Sequence, residues 1–270
     1  MEQLWIDQKD ATNMNPAYPE YLVVDPKTAS DRFDHLPSFG MYHDNYFITG
    51  IPLDRRITKH TADAKFQISI RQRLTKTVLP FNSFLMLTYT QKSFWEIYDK
   101  SAPFADSNYN PGLILGRPII TDNKLKGMAY IGMEHESNGK DSASSRSWNY
   151  FVLSGAYYFN YFFSTQVKAW PGFAGSDNKD IYKYRGWGLV ALNYYSRKGG
   201  FWASLIVNPR GNFTTFNTQL ELNVKLSPKS NQYIFLQWYE GYGESLLYYN
   251  KYSSMVRFGI SIKPPLRNLY

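Results

Sequence analysis

The chain has 270 residues, enough for one large domain or two small ones, with a formal charge of +8, 18% aromatic and 43% hydrophobic residues, and a mean hydropathy of -0.44. It has no cysteine, which excludes disulfide staples, zinc–thiolate centres and cysteine catalysis, and no run approaches the roughly 20 apolar residues of a membrane helix. The basic residues are scattered, many at alternate positions, so they form no dense stripe for nucleic acid.

The chain begins MEQLWIDQKD, which has no apolar signal core, so export would require a signal already removed. Residues 1–38 are polar and carry prolines in PAYPE, DPKTAS and LPSFG, the texture of an extended segment with little regular structure. Residues 39–270 are expected to form the folded domain.

From Tyr42 onward, alternating runs of about ten residues follow one another between Asn, Asp, Gly, Pro and Ser. They predict twelve strands, at 43–52, 65–74, 82–97, 109–119, 124–137, 146–160, 163–171, 182–196, 200–208, 219–226, 232–247 and 256–263. Three alternate cleanly. In KFQISIRQRL, Lys65, Gln67, Ser69, Arg71 and Arg73 oppose Phe66, Ile68 and Ile70. Glu221, Asn223 and Lys225 oppose Leu220, Leu222 and Val224, and Arg257, Ser261 and Lys263 oppose Val256, Phe258 and Ile260. A period of two puts each set on its own face of a strand. No repeat and no clear helical period interrupts them, so successive strands suit an antiparallel up-and-down meander.

The fifth run, LKGMAYIGMEHES, places Leu125, Gly127, Ala129, Ile131, Met133, His135 and Ser137 on one parity. His135 and Ser137 therefore extend an apolar face. Their Cα atoms are ~6.6 Å apart, so an imidazole can lean along the strand onto the hydroxyl. The chain returns in RSWNYFVLSGAYYF, with Asn149, Phe151 and Leu153 on one parity. If the hairpin sets Asn149 beside His135, its amide can fix the tautomer, the third role in a nucleophile–base–orienter set. The bland reading stays open: a polar strand end, with NGKDSASS as a turn.

Two architectures accept these strands. A soluble sandwich or barrel turns its apolar face inward; a membrane barrel inverts it, with lipid outside and a polar interior. Aromatic residues gather near strand ends in NYYSRKGGFWASL, GAYYFNYFF and LLYYNKYSS, as interfacial girdles do. An interior holding Lys65, Arg73, Glu221 and Arg257 must pair its charges or border water. These features favour a 12-stranded antiparallel transmembrane β-barrel, an all-β fold.

Four segments, YTQKSFW (89–95), SAPFADSNYNP (101–111), HESNGKDSASSRSWN (135–149) and GYGESLLYYN (241–250), resemble motifs of the bacterial outer-membrane phospholipase A family, in the same order and over roughly residues 40–262. The resemblance implies a twelve-stranded outer-membrane barrel that hydrolyses acyl esters of phospholipids and lysophospholipids, needs Ca²⁺ and is active as a homodimer. Carried over by position, it implies Ser137 as nucleophile, His135 as base, Asn149 as orienter and the Gly139 N–H as an oxyanion donor. It implies calcium ligands from the carbonyl of Lys140, the carbonyl and hydroxyl of Ser145 and a second subunit's carbonyl at the Ser101 position, with Gln91 in the dimer interface. It also places the site toward the outer leaflet. The sequence departs from the family at Lys140, where Arg is common, at Ser142, where a carboxylate is usual and Asp141 stands one place earlier, and at the terminal PPLRNLY, which makes Tyr270 the candidate insertion aromatic. A non-catalytic pore or adhesin barrel, a lipopolysaccharide deacylase and a soluble binding sandwich are the rivals.

Overall fold

A computed structural model describes residues 34, 37–121, 124–160, 162–196, 200–211, 213–227 and 230–264. Apart from Asp34 and residues 37–38, the predicted N-terminal segment lies outside the described residues, as does Tyr270. The strands are β1 (Phe39–Met41), β2 (Asn45–Pro52), β3 (Asp63–Arg73), β4 (Phe84–Trp95), β5 (Phe104–Thr121), β6 (Lys124–Ser137), β7 (Ser147–Tyr158), β8 (Phe163–Ala169), β9 (Gly172–Ala174), β10 (Gly188–Tyr195), β11 (Phe201–Pro209), β12 (Phe216–Lys225), β13 (Gln232–Gly241) and β14 (Ser253–Ile262). A short helix, α1 (Ile181–Arg185), lies between β9 and β10.

Twelve of these strands close on themselves, each antiparallel to its neighbours, because β3 pairs with both β2 and β4 and β14 returns to β2. The two short strands cover gaps: β1 continues along β3 beyond the end of β2, and β9 continues along β7 beyond β8. Closure leaves none of these twelve strands as a sheet edge, the condition for backbone to lie in hydrocarbon.

Burial decides the face. Lys65, Ser69 and Arg73 are buried while Ile68 on the same strand is exposed, and Arg257 and Ser261 are buried on either side of exposed Phe258 and Ile260. The apolar parity faces out and the charged parity lines the lumen, the inversion of a water-soluble barrel. Rings gather outside at both ends: Tyr157, Phe159, Phe163, Tyr194 and Phe201 at one, Phe47, Phe66, Trp95 and Phe104 at the other.

The lumen is filled. Arg257 bonds Asp63 with Nε and Nη2, both at 2.7 Å, and Glu244 with Nη1 at 2.6 Å; Lys65 bonds Glu244 at 3.0 Å and Gln237 at 2.8 Å. Lys168 pairs with Glu134, and Lys263 with Asp44. Ionic groups survive burial when each finds an opposite charge and further hydrogen bonds. Between the ion pairs sits an apolar plug that includes Trp148, Tyr150, Ile181, Leu246 and Tyr249.

Two predicted strands are shortened. The run at 182–196 begins as strand only at Gly188, because residues 181–185 form α1, whose Ile181 is buried in the plug. The run at 232–247 ends at Gly241; the connection 242–252 instead carries Glu244 and Leu246 inward to the lumen charges and the plug. Alternation over a few residues does not distinguish a strand from a lumen insert whose buried groups are polar as well as apolar.

Candidate active site

Strand β6 alternates as predicted at its end. Ile131 and Met133 are exposed on the outer face while Glu134 and Glu136 are buried inside, so His135 and Ser137 stand on the outer parity. Strand β7 repeats the pattern, with Phe151 and Leu153 exposed outside and Trp148, Tyr150 and Val152 buried, which puts Asn149 outside. The β6–β7 register pairs His135 directly with Asn149 and Ser137 with Ser147. Directly paired side chains on one face are the closest neighbours that two strands offer.

His135 Nδ1 and Asn149 Oδ1 are 2.8 Å apart. The amide oxygen accepts, so Nδ1 carries the proton and Nε2 remains a base. The Ser137 hydroxyl, next on the same face, makes no side-chain hydrogen bond among the described residues. Two of the three candidate residues are therefore joined, and the third lies next to them on the same face.

Local sequence explains the strand geometry. Pro111 on β5 has no N–H to give to the neighbouring strand, and the Asn110 amide supplies the bond instead, donating to the His135 carbonyl at 2.9 Å and the Tyr150 hydroxyl at 3.0 Å. Tyr109 pairs with Ser137, and Gln91 pairs with Tyr109, so one row crosses the outer face from β4 to β6. Gln91 is bonded within its own strand: Tyr89 donates to its Oε1, and its Nε2 donates to Ser93, each at 3.1 Å.

The connection 138–146 is held by Asn138, a buried residue that sequence reasoning passed over as half of an Asn-Gly turn. Its amide donates to the Ser144 carbonyl at 2.8 Å and accepts from the Arg146 N–H at 3.0 Å. Its position between Ser137 and Gly139 in the motif was the available signal. Gly139 adopts φ +63°, and its N–H has no intramolecular partner among the described residues. A Cβ there would meet the Tyr109 ring at 3.1 Å. Gly139→Ala is accordingly expected to cost about 1–2 kcal/mol through the left-handed backbone alone, read as a lower unfolding midpoint in denaturant.

The residues expected to hold calcium are oxygen donors on exposed or half-buried loop backbone. The Ser145 carbonyl accepts from the Arg146 guanidinium at 2.6 Å and the Ala143 carbonyl from the same nitrogen at 2.9 Å. The Ser145 carbonyl is thus engaged by a guanidinium, which would have to turn away for that oxygen, a hard donor of the kind Ca²⁺ takes, to hold the ion. The Lys140 carbonyl and the Ser145 hydroxyl accept no intramolecular bond, while the Lys140 ammonium reaches away to the Ala105 carbonyl at 2.7 Å. Ser101 is exposed in the β4–β5 connection. Ser142, where the family usually has a carboxylate, opens a single 3-10 turn, and no cluster of three or more acidic or histidine ligands occurs among the described residues.

A family model described as phospholipase A1 matches residues 38–262. The chain belongs to the phospholipase A1 family. Phospholipase A1 of Klebsiella pneumoniae is 35% identical over 212 residues, 74% of this chain and 70% of that protein. Among solved structures, a calcium-bound dimer of the outer membrane phospholipase of Salmonella typhi superposes with a TM-score of 0.74 at 28% identity, covering 86% of this chain and 95% of that one. The outer membrane phospholipase A of Escherichia coli, in a form described as an asparagine-to-alanine active-site mutant, gives 0.74 at 27% identity, covering 86% and 95%. The matched span, residues 38–262, contains the whole closed barrel and all four motif segments.

Proposed function

We propose that this protein is a calcium-dependent phospholipase of the bacterial outer membrane that cleaves acyl esters of phospholipids and lysophospholipids through Ser137, His135 and Asn149. The observation that carries the reading is the 2.8 Å His135–Asn149 bond on the lipid-facing surface, with the Ser137 hydroxyl next on that face. Family membership supports the substrate class, and the calcium-bound dimer among the relatives supports the cofactor and the assembly.

In the proposed reaction, His135 Nε2 takes the proton of Ser137 as Oγ attacks the ester carbonyl. The Gly139 N–H donates to the oxyanion. His135 returns the proton to the leaving lysolipid oxygen, and water then releases the fatty acid by the same route. Asn149 keeps Nε2 aimed at the hydroxyl throughout. A calcium ion held by the Lys140 and Ser145 oxygens and by the partner subunit's Ser101 would supply positive charge beside the oxyanion. Gln91, in the same lateral row as Ser137, would lie in the dimer contact, so the interface that places it would also complete the calcium site. The catalytic end faces the outer leaflet in this reading, where a lipid can present its ester without leaving the membrane.

Hydrolysis of defined phospholipids by the detergent-solubilised protein tests the cofactor. Chelation of calcium is expected to lower the rate by about 100-fold or more, the scale of losing an oxyanion contact, and re-addition to restore it. A rate indifferent to chelator would reject the calcium role. A pore is disfavoured by the filled lumen, and product analysis with lipid A beside phospholipid separates a deacylase from a phospholipase.

A further inference from the structure

Directly behind the site, on the lumen side of the same two strands, lies a clamp that the proposed reaction does not use. Glu136 stands between His135 and Ser137, Trp148 precedes Asn149, and the register pairs Glu136 with Trp148. Their side chains meet. Trp148 Nε1 donates to Glu136 Oε2 at 2.8 Å, and Arg185 Nη1 donates to the same oxygen at 2.6 Å. Glu136 is 7% exposed and Trp148 2%, and the guanidinium carbon lies 5.2 Å from the centre of the indole.

Arg185 arrives from α1, the insert between β9 and β10, and Gly243 of the β13–β14 connection closes over it: a Cβ there would lie 2.4 Å from Arg185 Cγ. A single carboxylate oxygen therefore ties β6, β7 and an element from outside the hairpin into one buried unit. Side chains alternate along a strand, so any rotation of β6 or β7 about this unit turns His135, Ser137 and Asn149 with it.

We propose that Glu136 is a positioning residue for the acyl-transfer site. Its carboxylate, held by Trp148 and Arg185, sets the rotation of the two strands that brings the Ser137 hydroxyl within reach of His135 Nε2. This rests on the assignment of Ser137, His135 and Asn149 made above. A hydrogen-bonded ion pair of this kind is lost as a unit. Removing the carboxylate's charge strands a buried guanidinium, whereas removing both charges together does not.

The test uses the full-length protein in detergent micelles with calcium. The rate of Ser137 modification by a fluorophosphonate is read beside kcat and KM for a dispersed lysophospholipid. In the modification, the serine oxygen bonds to phosphorus, fluoride leaves, and His135 takes the proton. Glu136→Gln is expected to slow modification and kcat by about 10- to 100-fold, the scale of a lost charge-assisted bond, with KM within about twofold. The double variant Glu136→Gln/Arg185→Met is expected to recover most of that loss, because glutamine still accepts from Trp148 and no guanidinium is left unpaired.

Native rates in folded Glu136→Gln, or a loss confined to KM, would overturn the proposal. If Glu136→Gln does not fold, judged by its unheated mobility in a detergent gel, Trp148→Phe decides. It keeps both charges and an aromatic ring and deletes the 2.8 Å bond, with an expected loss of about 3- to 10-fold in modification; an unchanged rate would overturn the proposal. Absence of modification in the native protein itself marks failure of the serine assignment, which the Glu136 comparison does not produce.

Discussion

Replacing Ser137 with alanine is expected to abolish ester hydrolysis, by about 10⁴-fold or more, while leaving the barrel intact. The side chain is half-buried at a strand end and makes no hydrogen bond, so its removal unpairs nothing among the described residues. Asn149→Ala is expected to be graded rather than complete. It deletes the 2.8 Å bond to Nδ1, and with it the group that holds the ring and its tautomer. A hydrogen bond that strengthens as imidazolium forms is worth about 1.5–3 kcal/mol, so kcat should fall about 10- to 100-fold. Retention of calcium-dependent hydrolysis by the folded serine variant would reject the site, and an unimpaired asparagine variant would reject the orienting role.

The largest expected effect on stability lies in the lumen. Arg257 makes four hydrogen bonds to the carboxylates of Asp63 and Glu244, and its side chain is 2% exposed. Arg257→Met removes the cation and leaves both carboxylates behind, although Lys65 still reaches Glu244. Breaking a buried pair in this way typically costs about 3–5 kcal/mol, measurable as a lower urea midpoint for the folded barrel in detergent. A midpoint within experimental scatter of the native protein would show that water compensates the orphaned carboxylates.

Acid probes the same network from its other side. Glu244 lies on the β13–β14 connection; burial opposes its ionisation, but Arg257 and Lys65 outweigh this and hold its carboxyl down at about 2. A carboxyl so depressed contributes stability that is complete above its unfolded value of about 4.3 and is lost as pH falls toward 2. Arg257→Met should therefore flatten the acid limb of the stability profile between those values.

Much of the site was legible in the chain because its logic is local. The parity of Ile131, Met133, His135 and Ser137 follows from a period of two, and the structure puts all four on the outer face of β6. Asn149 was legible as a residue of the returning strand, but only the hairpin register sets it opposite His135. Asn138 and Glu136 were not read as functional. Each lies within the motif, yet its partners are Ser144 and Arg146 in one case and Trp148 and Arg185 in the other, which no local pattern connects. Residues 182–185 of the helix and 242–247 of the inward connection were read as strand for the same reason: the neighbouring Ile181 and Leu246 owe their places to the plug that they share.

By itself, then, the chain determined which side chains travel together along each strand, since alternation is a property of neighbouring residues. Which set meets lipid and which fills the lumen was decided by closure of the sheet. That choice turns on contacts such as Lys65 with Glu244 and Arg257 with Asp63, between residues 179 and 194 positions apart. A charge so far from its partner in sequence can be judged satisfied only once the fold has brought the two together.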